Sequence, residues 1–110
     1  MIFINNDDVA QLLTMEDCIQ TQENAFRKLP TGGAMHRPRI DMYMPCDDDE
    51  GYFRWGSMEG ANDGFFAIRM KSDIMTWPRD EAGNWSEDKY CVKPGTYCGL
   101  IMVFRVMNGE

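Results

Sequence analysis

A chain of 110 residues with 44% hydrophobic and 26% charged side chains is long enough to bury a core as one globular domain and too short for two. Its 11 basic residues against 18 acidic ones leave a net charge of -7, which opposes attraction to phosphate backbones or anionic lipid and argues against a nucleic-acid partner. The start, MIFINNDDV, lacks the basic residues and apolar run of a signal peptide, and no apolar stretch approaches the roughly 18 residues of a membrane span. A soluble, cytoplasmic protein without membrane association is therefore expected.

In chain order, MIFI (1–4) is a short apolar run of strand type. Asn5, Asn6, Asp7 and Asp8 after it suit the cap of a helix at Val9–Leu13. Thr14-Met15-Glu16-Asp17 then has the spacing of a capping box, with Asp in place of the usual Glu or Gln, and predicts a second helix over 15–29. Met15, Cys18, Ile19, Phe26 and Leu29 recur at helical spacing, interrupted by Gln22, as in an amphipathic helix that lies on a sheet. Pro30-Thr31-Gly32-Gly33 closes it. Strands are predicted at about 36–44, 52–58, 65–72 and 97–107, with turn signals in Asp47-Asp48-Asp49-Glu50-Gly51 and Asn62-Asp63-Gly64. The polar stretch 74–96, with Pro78, Gly83, Pro94 and Gly95, reads as an excursion or a ligand-facing loop. The fold class that follows is α+β: a mixed, largely antiparallel sheet with two N-terminal helices packed on one face, all within a single domain, 1–110.

The chemistry-bearing residues are few. Cys18, Cys46, Cys91 and Cys98 show no CxxC spacing and His36 is the only histidine, so reduced thiols are expected rather than a zinc site. DDDE at 47–50 lacks the spaced ligands and glycine of a calcium loop and reads as a solvated turn. There is no GxGxxG, P-loop or GxSxG, and nothing marks His36 as the partner of a nucleophile. Most of the ten methionines are expected to fill gaps in the core, with a Met-rich contact surface as the alternative. The informative stretch is FFAIRMKSD (65–73). Along it Phe66, Ile68 and Met70 point one way, while Arg69 and Lys71 point the other. Those cations either meet solvent, pair with an acid nearby, or are aimed at an anion by a rigid strand.

Taken together, FINNDDVAQLLTMEDCIQTQENAFRKLPTGGAMHRPRIDMYMP, GFFAIRMKSD and KYCVKPGTYCGLIMVFRVMNGE resemble the first third of the ornithine cyclodeaminase / mu-crystallin family. The resemblance runs over nearly the whole chain, through a D-V-x-x-L-L-T-M helix start, a P-R strand, an x-K strand and a G-L-I-x-x-F-x-x-x-N-G-E strand and turn. It implies the substrate-binding and dimerisation domain of an NAD-dependent enzyme that closes ornithine to proline with loss of ammonia. It places a substrate carboxylate on Arg39 of RPR and Lys71 of RMK, with Arg69 as a further pocket residue. Glu59 of GSMEGAN stands nearest to a family glutamate that helps activate water or the amine. NAD belongs to a Rossmann domain that would follow Glu110, so this chain is expected to hold no cofactor and no hydride chemistry of its own. The expected partners are a second copy of the chain and a small amino acid such as ornithine or proline. Two other readings stand beside this one: a small homodimeric interaction protein with a vestigial pocket, and one half of a split enzyme completed by a separate Rossmann chain.

Overall fold

The computed structural model describes residues 1–46, 51–91 and 99–110. The acidic turn expected at 47–50 and the start of the last strand expected at 97 and 98 lie outside the described residues. The chain divides into two compact units, Met1–Met35 and His36–Glu110.

The first unit is helical. Helix α1 (Asn6–Leu12) starts earlier than expected because Asn5 is its cap. The Asn5 side-chain oxygen accepts the Asp8 N–H at 3.0 Å, and the Asp8 carboxylate accepts the Asn5 N–H at 2.9 Å. Helix α2 (Met15–Lys28) repeats the device with Thr14 and Asp17. There the carboxylate accepts both the hydroxyl and the N–H of Thr14, and these bonds hold the Asp17 carboxyl below its ordinary range. Each box satisfies two N–H groups that a helix start leaves orphaned. Leu29, expected in the helix, instead opens a 3-10 turn, Leu29–Thr31, which stops at Gly32 in the left-handed region, φ 74°. Met1–Ile4 form no strand and are exposed, because an extended segment is stable only when paired.

The second unit is a five-stranded sheet in the order β1-β2-β3-β4, with β5 also on β3. Strands β1 (Ala34–Pro45), β2 (Gly51–Asn62) and β3 (Phe65–Thr76) are long, β4 (Asp88–Tyr90) is short, and β5 spans Gly99–Arg105. Asp63 (φ 49°) and Gly64 (φ 80°) make the two-residue turn between β2 and β3, the left-handed pair that matches strand twist. β3 is the centre of the sheet. β2 runs antiparallel along one side of it, from Gly51↔Thr76 to Asn62↔Phe65. β5 and β4 share the other side end to end, at Phe65–Lys71 and Ile74–Thr76. The protein is thus α+β, as its patterning predicts, with a mostly antiparallel sheet.

Three further expectations are corrected. β3 continues four residues past its predicted end at 72 and β4 adds a strand inside 74–96, because Asp73 and Asp88 are polar positions that hide a period-2 signal. Met75 alone among the described methionines is fully buried, 1% exposed, whereas Met42, Met44 and Met102 stand on exposed sheet surface. The methionines are therefore largely a surface feature of this chain. The Ser86 N–H and the Arg79–Trp85 bridge close a small loop on Pro78, with the Arg79 guanidinium 4.0 Å from the Trp85 ring centre. Among the described residues no helix is long and apolar enough to cross a membrane.

Candidate functional site

Directly paired residues of an antiparallel ladder share a face of the sheet. The register therefore sorts the candidates. Lys71 lies opposite Gly56, Arg69 opposite Met58 and Asp73 opposite Arg54, all on one face. Glu59 lies opposite Ile68, one residue out of phase with that series, and so belongs to the other face. Strand β1 brings Arg39, Asp41 and Tyr43 to the Lys71 face. A Cβ built on Gly56 would stand 2.6 Å from Asp41 Oδ1 and 3.7 Å from Arg39 Cδ, and Tyr43 is among the groups that raise the Arg54 guanidinium.

Gly56 thus floors a notch in the middle of this face. Asp41 and Arg39 lean over it from β1, and Lys71 rises beside it from β3. The walls stand two strand spacings apart, about 10 Å between backbones. A glycine inside a strand marks a place where something approaches the backbone closely. Here the carboxylate of Asp41 does so.

The charges are held in pairs. Arg39 pairs with Asp41 at 2.8 Å, and Lys71 Nζ lies 2.6 Å from Asp73 Oδ1. The Asp73 carboxylate also accepts from Arg54, from Nε at 3.2 Å and from Nη2. Asp73 is 2% exposed and Arg54 8% exposed. Burial pushes the Asp73 carboxyl up, but its hydrogen bonds from Lys71 and Arg54 outweigh that and hold it below the ordinary carboxylate range. The Arg54 guanidinium is raised, chiefly by its hydrogen bond to Asp73 and against the desolvation of burial. Arg69 differs from its neighbours: it donates to Met58 Sδ at 3.3 Å, its Nε is buried without a partner, and no carboxylate faces it among the described residues. Asp41 Oδ1 is likewise buried with no hydrogen-bond partner among the described residues.

The strand therefore answers for its two cations separately. Lys71 meets an acid two residues along its own face, and Arg69 keeps donors to spare. Of the four sequence-derived candidates, Arg39, Lys71 and Arg69 come together on the notch face. Glu59 is clasped elsewhere by Arg37, whose Nε donates to it at 2.6 Å and whose Nη2 donates to its second oxygen. That clasp is the main reason its carboxyl lies below its usual value. Asp41, Arg54, Gly56 and Asp73 were not singled out in sequence. The signals are an acid two residues after Arg39 and two after Lys71, and a lone glycine within a strand pattern. No group of three or more potential metal ligands occurs among the described residues. Comparison with known protein families, with curated proteins and with solved structures finds no match.

Proposed function

We propose that the chain is an amino-acid-binding domain of the ornithine cyclodeaminase type, inactive by itself, in which Arg39 and Lys71 hold the ligand carboxylate and Arg69 adds a third donor. The observation that carries this reading is the placement of Arg39 and Lys71 on either side of Gly56, on one face of a sheet that fixes their backbones. Charge-assisted hydrogen bonds contribute about 1.5–3 kcal/mol each, but here they compete with Asp41 and Asp73 for the same cations. Affinity is accordingly about millimolar, roughly -4 kcal/mol. The test is an NMR titration with ornithine on the wild type, Arg39→Ala and Lys71→Ala. Saturable shifts near residues 39, 56 and 71 that both substitutions abolish support the reading; a wild type without such shifts removes it.

The homodimer is proposed on a separate observation. Phe66, Ile68 and Met70 of β3 share the opposite face with their partners Leu100, Met102 and Phe104 on β5, and Ile40, Met42 and Met44 of β1 alternate with the notch residues Asp41 and Tyr43. Five of these nine, Ile40, Met42, Met44, Leu100 and Met102, are exposed. An apolar face of that extent favours a partner, and a second copy supplies a matching one. Light scattering coupled to size exclusion decides it, a monomer at high micromolar concentration being the contrary result.

A further inference from the structure

The two outer edges of the sheet are guarded differently. Strand β1 carries Pro38 and Pro45, which donate no N–H, and the charged Arg37, Arg39 and Asp41, devices that keep an exposed edge from pairing. Strand β5 has none of them from Gly99 to Phe104, and among the described residues it pairs only with β3. The bonds at its end show which backbone groups face outward. Val106 donates its N–H inward to the Gly64 carbonyl at 2.8 Å, whereas Arg105 donates to the Glu110 carbonyl at 2.6 Å and its own carbonyl accepts the Gly109 N–H at 2.8 Å. Backbone direction alternates along a strand, so Gly99, Ile101 and Val103 turn their N–H and C=O groups away from β3, as Arg105 does. Glu110 thus stands in the next strand position, about 4.8 Å outside β5, and fills it only beside Arg105. Beside Val103, Ile101 and Gly99 no described strand takes up that row, and Leu100, Ile101, Met102 and Val103 are all exposed.

We infer that the outer edge of β5 is a strand-addition site: it takes an extended, apolar segment of another polypeptide with basic flanks, which pairs with Gly99, Ile101 and Val103 in line with Glu110. Main-chain hydrogen bonds supply the attraction in such an addition, and side chains alternating to either side of the sheet supply the selection. Both rows of β5 are apolar, with Leu100 and Met102 on one face and Ile101 and Val103 on the other, so the incoming strand is apolar on both of its faces. The charge of the flanks follows from the net charge of -7, which draws a cationic segment and repels an acidic one. A second copy of β5 fits less well. Two such chains carry like charge, and with Ile101 against its twin the residues that enter Gly99 of one copy run toward the position Glu110 holds in the other. The site depends on neither the carboxylate reading nor the dimer.

Amide exchange followed by NMR tests this, with a blocked peptide that alternates valine and isoleucine between lysine ends as the probe. In the free chain the Ile101 and Val103 amides should exchange fast, while those of Leu100, Met102 and Phe104, which face β3, exchange slowly. Peptide at about ten times its dissociation constant should slow Ile101 and Val103 about tenfold. The same peptide N-methylated at alternate residues keeps its side chains and loses the donors that would face β5, so it should have no effect. Ile101→Pro removes an N–H that β3 does not use, so its dispersed spectrum should survive while the peptide effect disappears. Equal protection by the N-methylated peptide overturns the inference, since apolar contact alone would explain it, and so does a wild type whose exchange the probe leaves unchanged. Ile101 and Val103 amides that are already slow in the free chain overturn it as well: protection lost on dilution assigns the edge to a second copy, and protection that persists assigns it to the chain itself. Should Ile101→Pro lose its dispersed spectrum, the two peptides decide the matter without it.

Discussion

The two faces of one sheet are made from alternate residues of the same strands, yet they have little chemistry in common. Around Gly56 one face gathers Arg39, Arg54, Arg69 and Lys71 with Asp41 and Asp73, a local excess of positive charge in a chain of net charge -7. The other carries Ile40, Met42, Met44, Phe66, Ile68, Met70, Leu100 and Met102. On the first face Arg54 and Asp73 are buried along with Met75, while Ile101 and Val103 of β5 stand exposed; on the second, Ile40, Met42, Met44, Leu100 and Met102 stand exposed. Burial in this unit therefore gathers around the Arg54–Asp73 pair and Met75, which shares their face. The charged face pairs Arg39 with Asp41 and both Arg54 and Lys71 with Asp73, and the apolar face is the one that asks for another surface.

The largest expected effect breaks the second half of that contrast. Met42→Lys together with Leu100→Lys should convert the proposed dimer wholly to monomer in light scattering, whereas Lys71→Ala, on the opposite face, should leave the mass of the wild type unchanged. An unchanged mass in the double variant would place the interface elsewhere.

Next comes the anchor of the charged face. Asp73→Ala leaves Arg54 buried without its carboxylate and should cost about 3 kcal/mol in urea unfolding, since removing one member of a buried pair strands the other. A loss under about 1 kcal/mol would mean that water satisfies Arg54 and that the network is not structural. The same group governs acid behaviour. Because the Asp73 carboxyl titrates below its unfolded value, its contribution is complete above about pH 4 and is lost as pH falls through the folded pKa. Thermal midpoints should be flat from neutral pH to about 5 and drop below about 4. Asp73→Asn should flatten part of that acid limb, the remainder belonging to Asp17, Glu59 and Asp80, which are lowered in the same direction.

A smaller effect separates stability from binding. Gly56→Ala gains strand propensity and meets only the end of the Asp41 side chain, so unfolding free energy should change by less than about 1 kcal/mol. Ornithine shifts should nonetheless weaken, since Asp41 must swing off the notch. Equal binding would show that the floor need not be bare. The least effect belongs to Glu59→Gln. On the far side of the sheet from Lys71, it should leave the ornithine titration superimposable on the wild type, and any clear loss would join the two faces functionally.

Much of this was legible in advance, for physical reasons that differ by element. Asn5 and Thr14 declare helix starts because a short polar side chain followed three residues later by Asp can satisfy orphaned N–H groups wherever it occurs. Asp63-Gly64 declares its hairpin because few other residues accept two successive left-handed conformations. The charged half of the sheet was harder to see. Arg54 and Asp73 interrupt the alternation that identifies a strand, and they are tolerable inside only because each lies opposite the other, a fact of register rather than of either segment alone. Arg39 and Lys71 were found by resemblance to family motifs, but Asp41 and Gly56 are defined by a contact across strands that no local pattern records.

The hairpin turn has a remote duty. Asp63 and Gly64 fix which residue of β2 faces which residue of β3, all the way to Gly51↔Thr76. Side chains alternate with a period of two, so one added or deleted residue at the turn would exchange the faces of everything beyond it. Lys71 would then point among the methionines, and Met70 or Ser72 would stand where the charges meet. Length at that loop is thus a determinant of recognition as firm as any side chain in the notch, and evolutionary change there should be confined to substitutions that preserve a two-residue, left-handed turn.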